Sequence, residues 1–500
     1  MCPNSFLLFM KKLGSWKGVV GTQHGDEAKG KIVDVLADEA DEVVRYNGAN
    51  NAGHKIYNTD GSRSVVLSQA PSGVLKGKRG FIAANSLFSP SAYFEELERI
   101  KKFGVDNAIH LTRIATQASL IQPHQRLRDV ALAKEAIGTT GRGIGPGYGD
   151  RAMRTHGERQ LDLRMGVLLE DTQKAMRIMQ NNYDAEVALL ERDPECDQKR
   201  LKAAIAKLNI KDLMAQEFDA INTLVGLELI EKDPAYIVRR LQQGMNILAE
   251  GAQSLYLANL GTTPYITSSD PSVGGAISCG MPWQYLKELI FVAKSIPTRV
   301  GKGPFITEYG GSAQEAYCME DEGDKHNRAY EQAAYGHRLD ACLRSNNPLE
   351  FAGAVRSQTD EYGGVSGRPR RLGEFDAYMI RTAIEMYGAT GLHLSKVDCL
   401  QLLKHRESIR IGVGYAQSGK NIDYVPTNEA DARRTEAVYR EYGTFDADIS
   451  NAKSAAELPK ELRRMLQDLE DYLGCPIHSI GIGPRGDQVI FRQGNWALAA

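Results

Sequence analysis

No run of the 500 residues approaches the roughly 20 consecutive apolar positions that a bilayer-spanning helix needs. The short apolar stretch near the start, Phe6 to Met10, is followed rather than preceded by its lysine pair, the reverse of a secretory leader. Cysteine is sparse. The seven cysteines are scattered and never form a C-x-x-C pair, which excludes a disulfide scaffold and zinc-ribbon spacing and suits free thiols in a reducing compartment. An excess of one charge is lacking too. With 61 Lys and Arg against 63 Asp and Glu, the formal net charge is -2, so no global positive field draws in nucleic acid or an anionic membrane. A cytoplasmic protein that binds neither is expected, and any phosphate it handles must be held locally.

What is present is a series of short apolar runs, each ending in a glycine-rich or polar loop. Val19-Val20, Val43-Val44, Phe81 to Ala83, Ile247-Leu248 and Leu392 to Leu394 have this form. Such runs predict buried strands of an α/β fold with a large, mostly parallel central sheet flanked by helices, whose ligands sit outside the strand ends. Between them, residues 171 to 245 read as helical. Ala175, Ile178, Met179, Tyr183, Val187 and Leu190 recur at steps of three and four, a stripe that predicts core packing. The expected organisation is an N-terminal extension over 1–17, then one elaborated domain over 18–500. That domain would carry a helical subdomain near 165–245 and an insertion or surface lid over about 311–361.

Five loops carry candidate chemistry. The stretch "GDEAKGK", residues 25–31, fits the phosphate-cradling pattern G-x-x-x-x-G-K, but Ile32 stands where that loop needs a magnesium-holding Ser or Thr, and two acids lie inside it. A strand, a glycine turn and a helix beginning near Lys31 would aim backbone N–H groups at an anion, with Lys29 and Lys31 adding charge. "RYNGANNAGHK", residues 45–55, offers amide donors and a histidine that titrates near neutral pH. "GTTGRGIGPGYG", residues 138–149, has a backbone able to wrap a ligand closely. In "LSKVD", residues 394–398, a lysine stem suited to a purine face precedes an aspartate suited to guanine N1 and N2. "VSGRPRRLG", residues 365–373, sets three arginines within four positions, a grip for carboxylate or phosphate.

Taken in order, "GTQHGDEAKGKIVD", "NGANNAGH", "AIGTTGRGIGP", "EGAQ", "TPYITSS", "TRVGKGPF", "SGRPRR" and "SKVD" resemble the adenylosuccinate synthetase family. The resemblance implies a P-loop-like, GTP-dependent ligase fold. It implies an enzyme that joins L-aspartate to IMP, with GTP as co-substrate and Mg2+ as cofactor. By the same resemblance Asp26 is the base and a metal ligand, the Gly53 carbonyl is a second ligand, and His54 is the general acid, with Lys29 and Gln253 completing the catalytic set. GTP contacts fall on Gly25, Asp26, Glu27, Ala28, Lys29, Gly30, Lys31, Gly53, His54, Lys55 and Arg370. Lys396, Val397 and Asp398, together with Gly481, Ile482 and Gly483, would hold its guanine. IMP contacts fall on Asp26, Lys29, Asn51, Ala52, Gly53, His54, Thr140, Gln253, Thr267 and Arg368. Arg154 matches an arginine that reaches the IMP phosphate of a neighbouring subunit, which implies a symmetric homodimer. Gly364, Val365, Ser366, Gly367, Arg368 and Arg370 match the aspartate loop.

Several positions depart from the family pattern. Ala28 replaces a usual glycine, and because a left-handed alanine costs roughly 1–2 kcal/mol, a right-handed conformation or a slightly altered loop is expected there. Val365 replaces a common threonine, which shifts the carboxylate contact towards Ser366 and Arg368. "LGEFD" and "YLANLGTTPYITSS" also differ from the family. An alternative is a sister ligase that joins aspartate to another 6-oxopurine nucleotide such as dGMP. In that branch the base position is typically a small residue, so Asp26 speaks against it. A GTP-binding protein without ligase chemistry would need the hydroxyl that Ile32 displaces.

Overall fold

The computed structural model describes residues 13–132, 141–319, 326–363 and 367–497. Its frame is a sheet of ten strands: β1 (Trp16–Gly21), β2 (Glu42–Arg45), β3 (Arg79–Ile82), β4 (Thr112–Ala115), β5 (Ile230–Glu231), β6 (Ile247–Ser254), β7 (Leu286–Lys294), β8 (Gly391–Ser395), β9 (Ile477–Gly481) and β10 (Val489–Phe491). The spatial order is β5-β4-β3-β2-β6-β1-β7-β8-β9-β10. Every neighbouring pair is parallel except the last, where β10 runs antiparallel along β9. All five apolar runs singled out in the sequence form strands of this sheet. β1 begins at Trp16, whose fully buried ring belongs to the core, so the sheet starts inside the segment expected as an extension.

The runs are continuous because both sheet faces are covered. Val19 packs with Ile32, Val33 and Leu36 of helix α1 (Lys29–Leu36) and with Val43, Leu248, Ile290 and Val292. Its neighbour Val20 belongs to a different cluster with Leu289, Phe291 and Leu394, as the period-2 alternation of a strand requires. Each such fully buried side chain contributes roughly 1.5–3 kcal/mol. Because the strands are parallel, the loops after β1, β2, β6, β7, β8 and β9 all leave from one edge of the sheet, and the candidate residues lie on those loops.

The helical reading of 171–245 holds for α3 (Thr172–Leu190), with Ala175, Met179, Tyr183 and Leu190 buried, and for Gln198–Leu208, Ile210–Gly226 and Tyr236–Gln242. The two-residue strand β5 interrupts it, too short for a periodicity to reveal. The glycine-rich segment gives helix α2 (Ile144–Met153).

The 311–361 segment differs from the expected surface lid. Its described residues form helices Ser312–Met319, Arg328–Tyr335, Leu339–Leu343 and α4 (Pro348–Thr359). Phe351, Ala352, Ala354 and Val355 of α4 are buried in the largest core cluster. A buried ion pair fastens these helices together: the Arg356 guanidinium donates to Glu331 at 2.5 Å and to Gln314 Oε1 at 2.9 Å, and Tyr362 donates its hydroxyl to Glu331 at 2.8 Å. Polar residues were read as surface because sequence alone does not pair Arg356 with Glu331. Among the described residues, no helix is long and apolar enough to cross a membrane.

Since Arg356 and Glu331 are both fully buried, Arg356→Leu leaves a buried carboxylate without its cation. A destabilisation of about 3–5 kcal/mol is expected, read as a lower urea unfolding midpoint. An unchanged midpoint would show the pair to be dispensable.

Candidate active site

The loop between β1 and α1 is built around one buried carboxylate. Glu27 accepts from the backbone N–H groups of Gln23 (3.1 Å) and Gly25 (2.8 Å), from Ser254 Oγ at the end of β6 (2.6 Å) and from the Lys29 ammonium (2.7 Å). Ser395 at the end of β8 donates to the Glu27 carbonyl (2.8 Å), and the Gln23 side chain exchanges two hydrogen bonds with the Lys294 backbone at the end of β7. Gly21 leaves the space this needs: a Cβ there would lie 2.4 Å from Ser254 Oγ and 2.7 Å from the Lys29 ammonium. One of the two acids in the loop is therefore internal, with its charge met by Lys29.

The expectation for Ala28 is overturned. Its φ of 64° and ψ of 33° are left-handed, and Asp26 is left-handed too, with φ 60°. The clamp on Glu27 over-determines the turn, and the strained alanine lets α1 begin at Lys29, two residues earlier than the sequence suggested. Lys31 also differs from expectation. Its ammonium donates to the carbonyls of Gly483 (2.6 Å) and Gln488 (2.8 Å), and burial pushes its pKa down to about 8. It is a strut between the loop and the β9–β10 turn rather than a free charge. The cation that meets Asp26 is likewise neither lysine but Arg370, whose Nε lies 2.9 Å from Asp26 Oδ2. Asp26 remains partly exposed, at 38%.

His54 opens the strand His54–Tyr57 and packs on the first turn of α1. A Cβ on Gly30 would lie 2.8 Å from the His54 Cβ, so only glycine allows this approach. The His54 Nδ1 meets Glu250 Oε1, and Arg45 Nη1 lies 3.0 Å from both. Ser72 donates its N–H (2.8 Å) and hydroxyl (2.6 Å) to Glu250. Burial first, then Arg45, lowers the His54 pKa. Burial alone would raise Glu250, but Arg45, His54 and Ser72 override it and hold the carboxyl at about 2.

The other loops converge on the same edge. Asn51 Oδ1 accepts from the Ala49 N–H at 3.1 Å, and the Ala52 N–H donates to the Ala49 carbonyl, shaping the turn that carries Ala52 and Gly53. Arg142 donates to the Asn50 carbonyl, and Tyr148 of α2 accepts from the Gly48 N–H at 3.0 Å, so the glycine-rich segment abuts this loop. Gln253 Oε1 accepts from Thr267 (2.5 Å) and Ser269 (2.6 Å), which joins two expected contacts. Arg154 is exposed at the end of α2 and has no ion pair among the described residues. Thr139, Thr140, Gly364, Val365 and Ser366 lie outside the described residues. The flanking turn is closed by the Gly363 N–H on the Arg368 carbonyl and the Gly367 N–H on the Gly363 carbonyl, both 2.8 Å.

At the far end, Lys396 and Asp398 follow β8. Asp398 Oδ1 is buried without a hydrogen-bond partner, and burial raises its pKa. Gly483 lies against the Gln488 side-chain amide, which a Cβ there would displace, its nearest atoms being 2.4 Å away. Lys396 donates to the Thr359 carbonyl (2.8 Å) and to Glu361. Glu361 also receives Lys294 (3.1 Å) and Arg370 Nη1 (2.7 Å). Burial would raise Glu361, but these three cations hold it well below the usual carboxylate range.

A family model described as adenylosuccinate synthetase matches residues 18–490. The chain belongs to the adenylosuccinate synthetase family. It is 33% identical to the adenylosuccinate synthetase of Pelobacter propionicus, over 94% of this chain and 97% of that protein. It is 34% identical to that of Geotalea daltonii, with the same coverage. Among solved structures it is similar to a fully ligated adenylosuccinate synthetase from Plasmodium falciparum, with TM-score 0.75 and 25% identity over 96% of this chain and 100% of that one. The fold is shared more distantly with the cyanophage S-2L succinoaminodeoxyadenylate synthetase bound to dGMP and dATP, at TM-score 0.55 and 16% identity over 97% of each chain. Membership makes the chain an enzyme of this family on a mostly parallel α/β sheet.

Reasoning from the sequence missed Glu250, Arg45, Ser254, Lys294 and Glu361. A usable signal existed for two of them: Glu250 in "ILAEGAQS" and Lys294 closing "LIFVAK" are charges inside runs that both sheet faces bury.

Two outcomes are expected. Ala28→Gly relieves roughly 1–2 kcal/mol of left-handed strain and adds roughly 0.4–1 kcal/mol of unfolded-state freedom. The net is a gain of roughly 0.5–1 kcal/mol, measured by thermal unfolding; a loss of stability would contradict the strain assignment. Glu250 is depressed in the fold, so its contribution is full above its ordinary pKa near 4.5 and fades as pH falls towards about 2. Glu250→Gln is therefore less stable than the wild type near pH 7, and unfolding free energies measured down a pH series should draw together below about pH 4.

Proposed function

We propose that the protein joins L-aspartate to IMP at the expense of GTP, giving adenylosuccinate, GDP and phosphate. The observation that carries this reading is that a phosphate-loop turn holds its own partly exposed acid, Asp26, while His54 packs on Gly30 in the first helical turn of the same loop.

Asp26 takes the N1 proton of IMP, which makes O6 nucleophilic. O6 bonds to the γ-phosphorus as the bridging oxygen leaves with GDP. The amine of aspartate then attacks C6, and the C6–O bond breaks to release phosphate. The first amides of α1 receive the phosphates, with Lys29 beside them. His54 holds its Nδ1 proton on Glu250, which aims Nε2 at the transferring group. Burial and Arg45 favour the neutral ring; a polyanion arriving beside it favours the proton on Nε2, where it stabilises the developing charge.

Magnesium fits this site. Such ions take one or two carboxylates plus substrate phosphates rather than an all-protein cage, and among the described residues no group of three or more acidic, His or Cys side chains forms one. Asp26, now countered by a cation, and the Gly53 carbonyl would hold it. When bound it neutralises charge on the phosphates.

The unpartnered Asp398 Oδ1 supports guanine recognition, since guanine N1 and N2 supply the donors it lacks. Gln253, Thr267 and Asn51 would bind IMP, and the exposed Arg154 would reach the IMP phosphate of a second copy in a homodimer. Gly367, Arg368 and Arg370 would receive the carboxylates of aspartate.

The test is the purified protein with magnesium, GTP and aspartate, offered IMP, GMP or dGMP, with product masses recorded. Adenylosuccinate from IMP is expected; product from dGMP alone would sink the reading in favour of the sister ligase. Asp26→Asn should lower turnover by about 100- to 10,000-fold while GTP still binds, and near-normal turnover would refute the base assignment.

A further inference from the structure

Glu361 stands immediately after Asp360, the left-handed residue that ends α4. Only 2% of its side chain is exposed, and it collects three cations from three elements: Lys294 from the end of β7, Lys396 from the end of β8, and Arg370 from the arginine-rich arm. Arg370 is fixed to the same residue twice, because its N–H also donates to the Glu361 carbonyl at 3.0 Å. Its Nε meets Asp26. A continuous polar chain therefore runs from Lys396 through Glu361 and Arg370 to Asp26.

One cation would suffice to neutralise a buried carboxylate, and Lys294 already does so. It is 1% exposed and is held by Thr298 Oγ1 as well. Lys396 and Arg370 are different, being partly open at 30% and 16%. The family resemblance assigns both to the nucleotide, and Arg370 to the aspartate loop as well. With its ammonium engaged by Glu361 and the Thr359 carbonyl, Lys396 presents its methylene stem rather than its charge to an arriving purine.

We propose that Glu361 is a positioning residue that couples recognition of the donor purine to phosphoryl transfer, by fixing Lys396 at the base and Arg370 at Asp26 on one carboxylate. The inference rests on the reading of the site as a GTP-dependent ligase. Seating a base against Lys396 and Asp398 keeps Glu361 in place, and Glu361 in turn sets how far Arg370 reaches towards Asp26. An ill-fitting base disturbs the same carboxylate and so slows transfer as well as weakening binding.

The test uses the full chain and compares Glu361→Gln, Lys294→Gln and the double variant with the wild type. For Glu361→Gln the KM for GTP should rise and kcat should fall, each by about tenfold to a hundredfold, the worth of a charge-assisted hydrogen bond. The KM for IMP should stay within about twofold, and the preference for GTP over ATP should narrow. Lys294→Gln removes only the inner counter-ion, so its melting temperature should drop while its KM for GTP stays within about threefold. If Glu361→Gln does not fold, the double variant, which pairs two amides and leaves no lone buried lysine, should show the same rise in KM for GTP. Equal changes in the KM for GTP and for IMP, or the same kinetic profile from Lys294→Gln, would overturn the coupling. A GTP-induced thermal shift, measured without IMP or aspartate, separates this from the reaction itself. A wild type that makes no adenylosuccinate refutes the ligase reading, whereas a shift equal in wild type and Glu361→Gln refutes the role of Glu361.

Discussion

The buried carboxylate of Glu27 is the constraint around which the candidate site is assembled. An ionised acid cannot sit in an apolar interior without partners, and Glu27 finds them in two amides of its own loop, the ammonium of Lys29 and a hydroxyl of β6. Satisfying that one group fixes the loop's path. It forces the left-handed turn at Ala28, starts α1 at Lys29, and leaves Asp26 as the acid that faces outward. The same loop is bonded to β7 through Gln23 and to β8 through Ser395. A ligand meeting the loop therefore meets a backbone already held by three strands, so little ordering remains to oppose binding.

The parallel sheet supplies the other half of the arrangement. Because neighbouring strands run the same way, residues 196 positions apart in sequence meet at one edge. That is how His54, on the short strand that follows β2, reaches Glu250 of β6. Charges placed inside such strands are costly unless paired: Arg45 of β2 pairs with Glu250 of β6, and Lys294 of β7 with Glu361 just past the end of α4. The buried pairs are expensive as stabilisers, but they hold titratable groups in fixed positions beside the loops that the strands deliver.

How much of this was legible follows from what periodicity encodes. Strands buried on both faces announce themselves as apolar runs, so Val19-Val20 and Leu392 to Leu394 were readable, and the glycine-rich or polar loops after them followed. The ordered motifs carried the family. Pairings between distant polar residues leave no such mark. Nothing in "EQ" or "VRS" says that Glu331 and Arg356 meet in a core, so the helices of 311–361 read as surface. Lys31 looked like a phosphate ligand because its motif gives spacing, not direction, and its ammonium turns to the Gly483 carbonyl. Ala28 was misread for a related reason: local propensity argued against the left-handed region, and a tertiary clamp prevailed.

With a net charge of -2, the chain has no surplus of positive field for a polyanion, and the site shows how it manages without one. Three of its cations are already engaged: Lys29 by Glu27, Arg370 by Asp26 and Glu361, Lys396 by Glu361. A nucleotide phosphate that draws on these three would exchange partners with protein carboxylates instead of filling an empty positive pocket. Exchange costs less than desolvating a free cation, because the groups have left bulk water already, and it discriminates more sharply, because a ligand that satisfies only one partner strands the other. Arg370 is where such an exchange would reach the proposed base, because one guanidinium is shared between Asp26 and Glu361.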